Sequence, residues 1–136
     1  MIVVDASVWV SVFLLRDAHH SISAQWLRST VQAGERLVAP TLLVAEVSGA
    51  IARRTGRPDL AQRALAALIR LRSLQWVEFD IRSTLAAARL AIDLSLRGAD
   101  AVYVAVAAQL AIPLITWDQE QIDRTGAVIA ASTPWL

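Results

Sequence analysis

Ile2-Val3-Val4-Asp5-Ala6-Ser7 follows Met1, and its reading decides the fold. A run of β-branched residues this short is no helix; it suits a strand buried on both faces, as in a parallel sheet. Asp5 closes the run. Residues 7–15 then turn helical, with Ser7 as a candidate cap. Residues 21–31 are amphipathic, with Ile22, Trp26 and Leu27 facing inward, and Gly34 stops them. A second short strand at 36–39 is closed by Pro40. Helices follow at 41–54, stopped by Gly56, and at 58–71, with Pro58 in the first turn. A third strand is expected at 75–79 and an Ala-rich helix at 83–96, ending before Gly98. A helix at 100–111 is broken by Pro113. The chain closes with a fourth strand at 114–116, a short helix at 119–124 and a last strand at 127–129. Strands alternating with helices imply crossover connections and a parallel sheet covered on both faces. The expected architecture is α/β, with four or five short strands in one domain over residues 1–136.

Composition narrows the chemistry. The 136 residues are 56% hydrophobic with a formal net charge of +1, far from disorder and without a large field. There is no cysteine, which excludes thiolate nucleophiles, Cys-based zinc sites, iron–sulfur clusters and disulfides. There is no lysine either, so the 13 cationic side chains are all Arg. A Walker A loop, a Schiff base and a catalytic ammonium are thereby excluded. The most membrane-like stretch, 101–117, is Ala-rich, contains Gln109 and is broken by Pro113. The N-terminus carries Asp5 and no basic region, unlike a signal peptide. A cytoplasmic protein is expected, its apolar excess serving a core or an interface.

Ligands in open parallel sheets bind beyond the carboxyl ends of the strands. Asp5 follows the first strand and Asp118 the fourth, so both fall on one rim. Glu46 lies inside the apolar segment Leu42-Leu43-Val44-Ala45-Glu46-Val47, where a lone carboxylate is costly unless paired or liganded. Asp100 opens the helix that begins Ala101-Val102-Tyr103. Each acid also has a purely structural reading: a turn for Asp5, pairing with Arg53 or Arg54 for Glu46, and helix capping for Asp100 and Asp118. If the four converge, their mutual repulsion needs relief, and an all-oxygen set suits Mg²⁺ or Mn²⁺.

Val3-Val4-Asp5-Ala6-Ser7, Pro40-Thr41-Leu42-Leu43-Val44-Ala45-Glu46-Val47, Gly98-Ala99-Asp100-Ala101-Val102-Tyr103 and Leu114-Ile115-Thr116-Trp117-Asp118 resemble, in order and spacing, the PIN-domain pattern. The resemblance spans essentially the whole chain, whose length is similar to that of VapC-type toxins of toxin–antitoxin pairs. It implies a three-layer α/β/α fold around a mostly parallel sheet. It implies that Asp5, Glu46, Asp100 and Asp118 form an acidic site for Mg²⁺ or Mn²⁺, with Ser7 and Thr116 as supporting polar groups. The implied activity is metal-dependent hydrolysis of RNA phosphodiester bonds, as a ribonuclease toxin. The implied partners are RNA, a small antitoxin and a second copy of the chain. A housekeeping PIN nuclease and a catalytically silent PIN binding module are the alternatives. The family often carries an aromatic and a further acid after the last motif acid; here Ile122 takes the first place, and Glu120 or Asp123 could supplement Asp118.

Outside the acids, Arg53, Arg54 and Arg57 cluster at a helix end, where they could contact RNA phosphates or simply cap the helix. Arg16 and Arg97 flank the presumed rim. Trp117 sits between two motif residues and could stack on a base, although core packing or a dimer interface is the default for the five tryptophans. His19-His20 is expected in a loop outside the chemistry.

Overall fold

The computed structural model describes residues 1–135. β1 (Ile2–Val4) is central, and Val3 and Val4 are fully buried, which requires layers on both sides of it. β2 (Leu37–Pro40) pairs with one edge of β1, and β3 (Leu74–Val77) lies beyond it. β4 (Leu114–Ile115) pairs with the other edge, followed by β5 (Ala131–Ser132). The order is β3-β2-β1-β4-β5 and every pairing is parallel, so the sheet is parallel throughout. Seven helices complete the α/β/α arrangement: α1 (Ala6–Phe13), α2 (His20–Gln32), α3 (Leu42–Thr55), α4 (Pro58–Arg70), α5 (Ile81–Leu94), α6 (Gly98–Leu110) and α7 (Gln119–Thr125).

Local chemistry sets the boundaries. Asp5, not Ser7, caps α1; its carboxylate accepts the Ser7 N–H at 2.9 Å. Asp80 caps α5 by accepting the Ser83 N–H at 2.8 Å, which starts that helix at Ile81, two residues before the expected 83. Gly56 ends α3 in the left-handed region at φ 64°, and Pro58 begins α4 at once.

Two sequence expectations fail here. The last strand is not at 127–129. Ile129 is buried in the core, and the pairing moves onward, with Leu114 N–H donating to the Ala130 carbonyl and Thr116 N–H to that of Ser132. Ile22 does not face inward; it is 40% exposed, and α2 instead buries Ser23 and Trp26.

Much of the apolar content is core, while Ile69, Ile81, Leu85 and Ile92 remain exposed. α6 buries Ala101 and every residue from 103 to 107, nearly all round. It packs against β1, β2 and β4, and its small alanines allow close approach. Each fully buried Val or Leu side chain contributes about 1.5–3 kcal/mol relative to exposure. Among the described residues, no helix is long and apolar enough to cross a membrane.

Candidate functional site

The carboxyl ends of β1 and β4 lie side by side because these strands pair in parallel. Asp5 and Asp118 therefore share one rim, although they come from opposite parts of the sequence. Glu46, on α3, and Asp100, in the first turn of α6, join them. All four carboxylates line a single pocket of about 260 Å³, with Ala6, Ser7, Arg97 and Ala99.

Asp5 is 5% exposed. Burial raises its carboxyl pKa, hydrogen bonds from Ser7 oppose the rise, and the Asp100 charge adds to it. The Thr116 hydroxyl lies 3.3 Å from Asp5 Oδ2. Thr116 also accepts the Asp118 N–H at 3.0 Å, so one buried hydroxyl fixes the spacing of two acids. The Ser7 hydroxyl stands 3.3 Å from that of Thr116 and accepts the Trp117 N–H at 3.0 Å. Ser7 and Thr116 thus stand between Asp5 and Asp118 in one chain of hydrogen bonds. Asp118 caps α7 by accepting the Gln121 N–H at 3.1 Å.

Glu46 does not pair with Arg53 or Arg54. Its Oε2 accepts the hydroxyl proton of buried Tyr103. Burial raises the Glu46 pKa, the tyrosine opposes the rise, and the Asp5 and Asp100 charges add to it. Asp100 is raised by burial and lowered in turn by Arg97. Asp100 is not the cap of α6, a position held by Arg97. The Arg97 Nε donates to Asp100 at 2.9 Å, and its Nη2 donates to Asp118 at 2.5 Å.

The donor set suits a hard divalent cation: four carboxylates face one guanidinium, every donor is oxygen, and three of the acids carry pKa values raised by burial. Among the described residues, however, no three acidic or histidine side chains already surround a common point as ligands. The physical reason is on the rim: Arg97 holds Asp100 and Asp118, and Tyr103 holds Glu46.

Of the other candidates, Arg53 and Arg54 line an adjoining cleft of about 380 Å³. Arg54 is paired there with Asp17 at 2.8 Å. Arg57 lines neither pocket and pairs with Asp59 at 2.8 Å. Glu120 pairs with Arg124 at 2.6 Å, Asp123 accepts from Gln119 at 2.7 Å, and neither lines the acidic pocket. His19 lies on Trp117, ring centroids 3.8 Å apart and 11° from parallel. Sequence reasoning missed Tyr103 as a partner of Glu46. Its position three residues after Asp100, on one face of the same helix, was the available signal.

The PIN domain family model matches residues 2–128. The chain belongs to the PIN-domain family. Among curated proteins, none matches the sequence. Three solved PIN-like structures illustrate the likeness. Mycobacterium tuberculosis VapC20, a sarcin-ricin loop cleaving toxin, is 20% identical with a TM-score of 0.80, over 98% of this chain and 100% of that one. A toxin–antitoxin complex from Klebsiella pneumoniae is 16% identical with a TM-score of 0.70, over 99% and 98%. PAE2754 from Pyrobaculum aerophilum is 25% identical with a TM-score of 0.66, over 96% and 87%. At these identities the likeness establishes the PIN fold.

Proposed function

We propose that this PIN-domain chain is a metal-dependent endoribonuclease, a cytoplasmic VapC-type toxin that a small antitoxin restrains. The observation that carries the reading is the meeting of Asp5, Glu46, Asp100 and Asp118, from four separate segments, in one pocket. Structural likeness to a sarcin-ricin loop cleaving toxin and to a toxin–antitoxin complex supports the RNA substrate and the antitoxin partner. The functional protein is a homodimer, as the family resemblance implies.

The four carboxylates would hold Mg²⁺ or Mn²⁺, chiefly through Asp5, Glu46 and Asp100. A cation held there would supply charge neutralisation, Lewis acidity at the phosphate and a lowered pKa for water. Asp118 would orient the attacking water and take its proton at a carboxylate oxygen. Ser7 and Thr116 hold Asp5 and Asp118 at their spacing through the hydrogen bonds around Thr116 Oγ1. Tyr103 orients Glu46. Arg53 and Arg54, on the adjoining cleft, take phosphates away from the cleaved bond.

The test is cleavage of total RNA in Mn²⁺ or Mg²⁺ and in EDTA, with Asp5→Asn beside the wild type. Discrete fragments that require both the metal and Asp5 are expected. No cleavage by folded, metal-loaded protein would move the chain to the binding-module reading.

A further inference from the structure

The His19–Trp117 stack has no place in the acidic chemistry, yet it is built with care. The Trp117 backbone N–H donates to Ser7 at 3.0 Å and its indole N–H to buried Ser23 at 2.8 Å. Ser23 in turn receives the Ser11 hydroxyl at 2.6 Å. The indole is therefore fixed from behind by a buried hydroxyl pair. The His19 backbone is held from its own side: Asp17 accepts the His19 backbone N–H at 2.9 Å and pairs with Arg54 on α3 at 2.8 Å. The imidazole is exposed, with one face on the indole.

Both rings line the 380 Å³ cleft, a volume within the range of ligand sites. This cleft shares Ala6, Ser7 and Glu46 with the acidic pocket, so the two are neighbouring parts of one groove. Arg53 lines it with no ion-pair partner among the described residues. An aromatic platform, an unpaired guanidinium and an adjacent phosphodiester site match one nucleotide unit: a flat base, a phosphate, and the neighbouring phosphate at the acids.

We propose that His19 and Trp117 form a stacking platform for one unpaired nucleobase of the RNA, next to the phosphate being cleaved. The proposal rests on the nuclease reading above and adds to it a preference for unpaired over base-paired segments. A base within a duplex has both faces covered by its neighbours, so it has none to offer the imidazole. Because every base has a π-face, the platform selects single-strandedness rather than sequence.

The test measures binding in EDTA, where cleavage is absent. Three probes are compared by fluorescence anisotropy: a labelled single-stranded octaribonucleotide, a ribose-phosphate octamer without bases, and the first octamer in duplex. The wild type is expected to bind the single strand about tenfold more tightly than either control. His19→Ala and Trp117→Leu each remove most of that ratio. Arg53→Ala weakens all three probes alike and leaves the ratio in place. His19→Ala changes an exposed side chain, so it decides the matter should Trp117→Leu unfold the protein. Equal binding of the three probes, a ratio that survives His19→Ala, or no binding of the single strand overturns the platform. Cleavage in Mn²⁺ is scored separately. Cleavage with a ratio near one sinks the platform alone; a tenfold ratio without cleavage keeps the platform and sinks the nuclease.

Discussion

Arg97 Nη2 stands 2.5 Å from Asp118 Oδ2, while its Nε donates to Asp100. One 73% exposed side chain thus ties the first turn of α6 to the cap of α7. The hydrogen bond to Asp100 and the two nearby negative charges raise the guanidinium pKa further. A divalent cation held as proposed would need the same carboxylate oxygens, so guanidinium and cation would compete.

Arg97→Ala should therefore tighten Mn²⁺ binding, measured by calorimetry at low ionic strength. Exposed ion pairs contribute about 0.2–1 kcal/mol each, so the gain from freeing two carboxylates is about twofold to thirtyfold. The metal-free variant should melt lower, because the carboxylates lose their counter-ion. Unchanged or weaker Mn²⁺ binding would rule out the competition.

Asp5→Asn separates capping from chemistry. Asparagine keeps a side-chain oxygen for the Ser7 N–H but loses the buried charge. Melting in EDTA should hold steady or rise, while metal-dependent RNA cleavage drops by about 10²-fold or more. Cleavage at the wild-type rate would remove Asp5 from the proposed ligand set.

Tyr103→Phe takes from Glu46 the donor that counteracts its raised pKa. Glu46 then protonates at a still higher pH, and protons compete better with the metal. Mn²⁺ affinity should fall by about threefold to tenfold at the acidic end, where protons compete, and approach the wild-type value as pH rises. A deficit independent of pH would mean that the hydroxyl acts only by packing.

Stability should depend on pH with opposite signs in two windows. Asp5, Glu46 and Asp100 have folded pKa values raised above 3.8, 4.5 and 3.8, chiefly by burial. The folded protein holds these protons more tightly than the unfolded chain. Their stabilisation is complete below the unfolded values and is lost as pH rises through the raised ones. Asp17, Asp59 and Asp80 are lowered below 3.8. Asp17 is lowered despite partial burial, by the His19 N–H and Arg54, while Arg57 lowers Asp59 and the Ser83 N–H lowers Asp80. Their stabilisation is present above 3.8 and is lost as pH falls. In EDTA the melting temperature should fall as pH rises through the raised values of the buried acids. Saturating Mn²⁺ should reverse the upper slope, since it selects the deprotonated carboxylates. Metal-free stability that never falls as pH rises above the unfolded carboxylate values would contradict the raised values.

The strand–helix alternation was legible because Ile2-Val3-Val4 and Leu114-Ile115 are too short and too apolar for any other use. From that alternation came the shared rim with Asp5 and Asp118 on it; that Glu46 and Asp100 join them was what the family resemblance implied. The last strand was misplaced because Val128-Ile129 carries the apolar signal, while the pairing is made by the weaker Ala131-Ser132. Ile22 misled in the same way: α2 turns small Ser23 inward to meet Ser11 and the Trp117 indole, a polar contact that hydrophobic periodicity cannot register. The partners of the acids were hidden for another reason. Tyr103 meets Glu46, and His19 meets Trp117, across long stretches of sequence. Only three-dimensional packing brings such pairs together.

β1 sits in the middle of the sheet but is the first of its strands to be synthesised. Its neighbour β4 arrives more than a hundred residues later, and Asp118 follows three residues beyond that strand. A ribosome makes chain at about 5–20 residues per second, so Asp5 spends several seconds or more without its companions on the rim. In the nuclease reading, the growing polypeptide stays inert beside the RNA that encodes it until translation has passed Asp118. In that reading the order of the acids along the chain acts as a delay, and a product truncated before β4 lacks Asp118 and the completed rim.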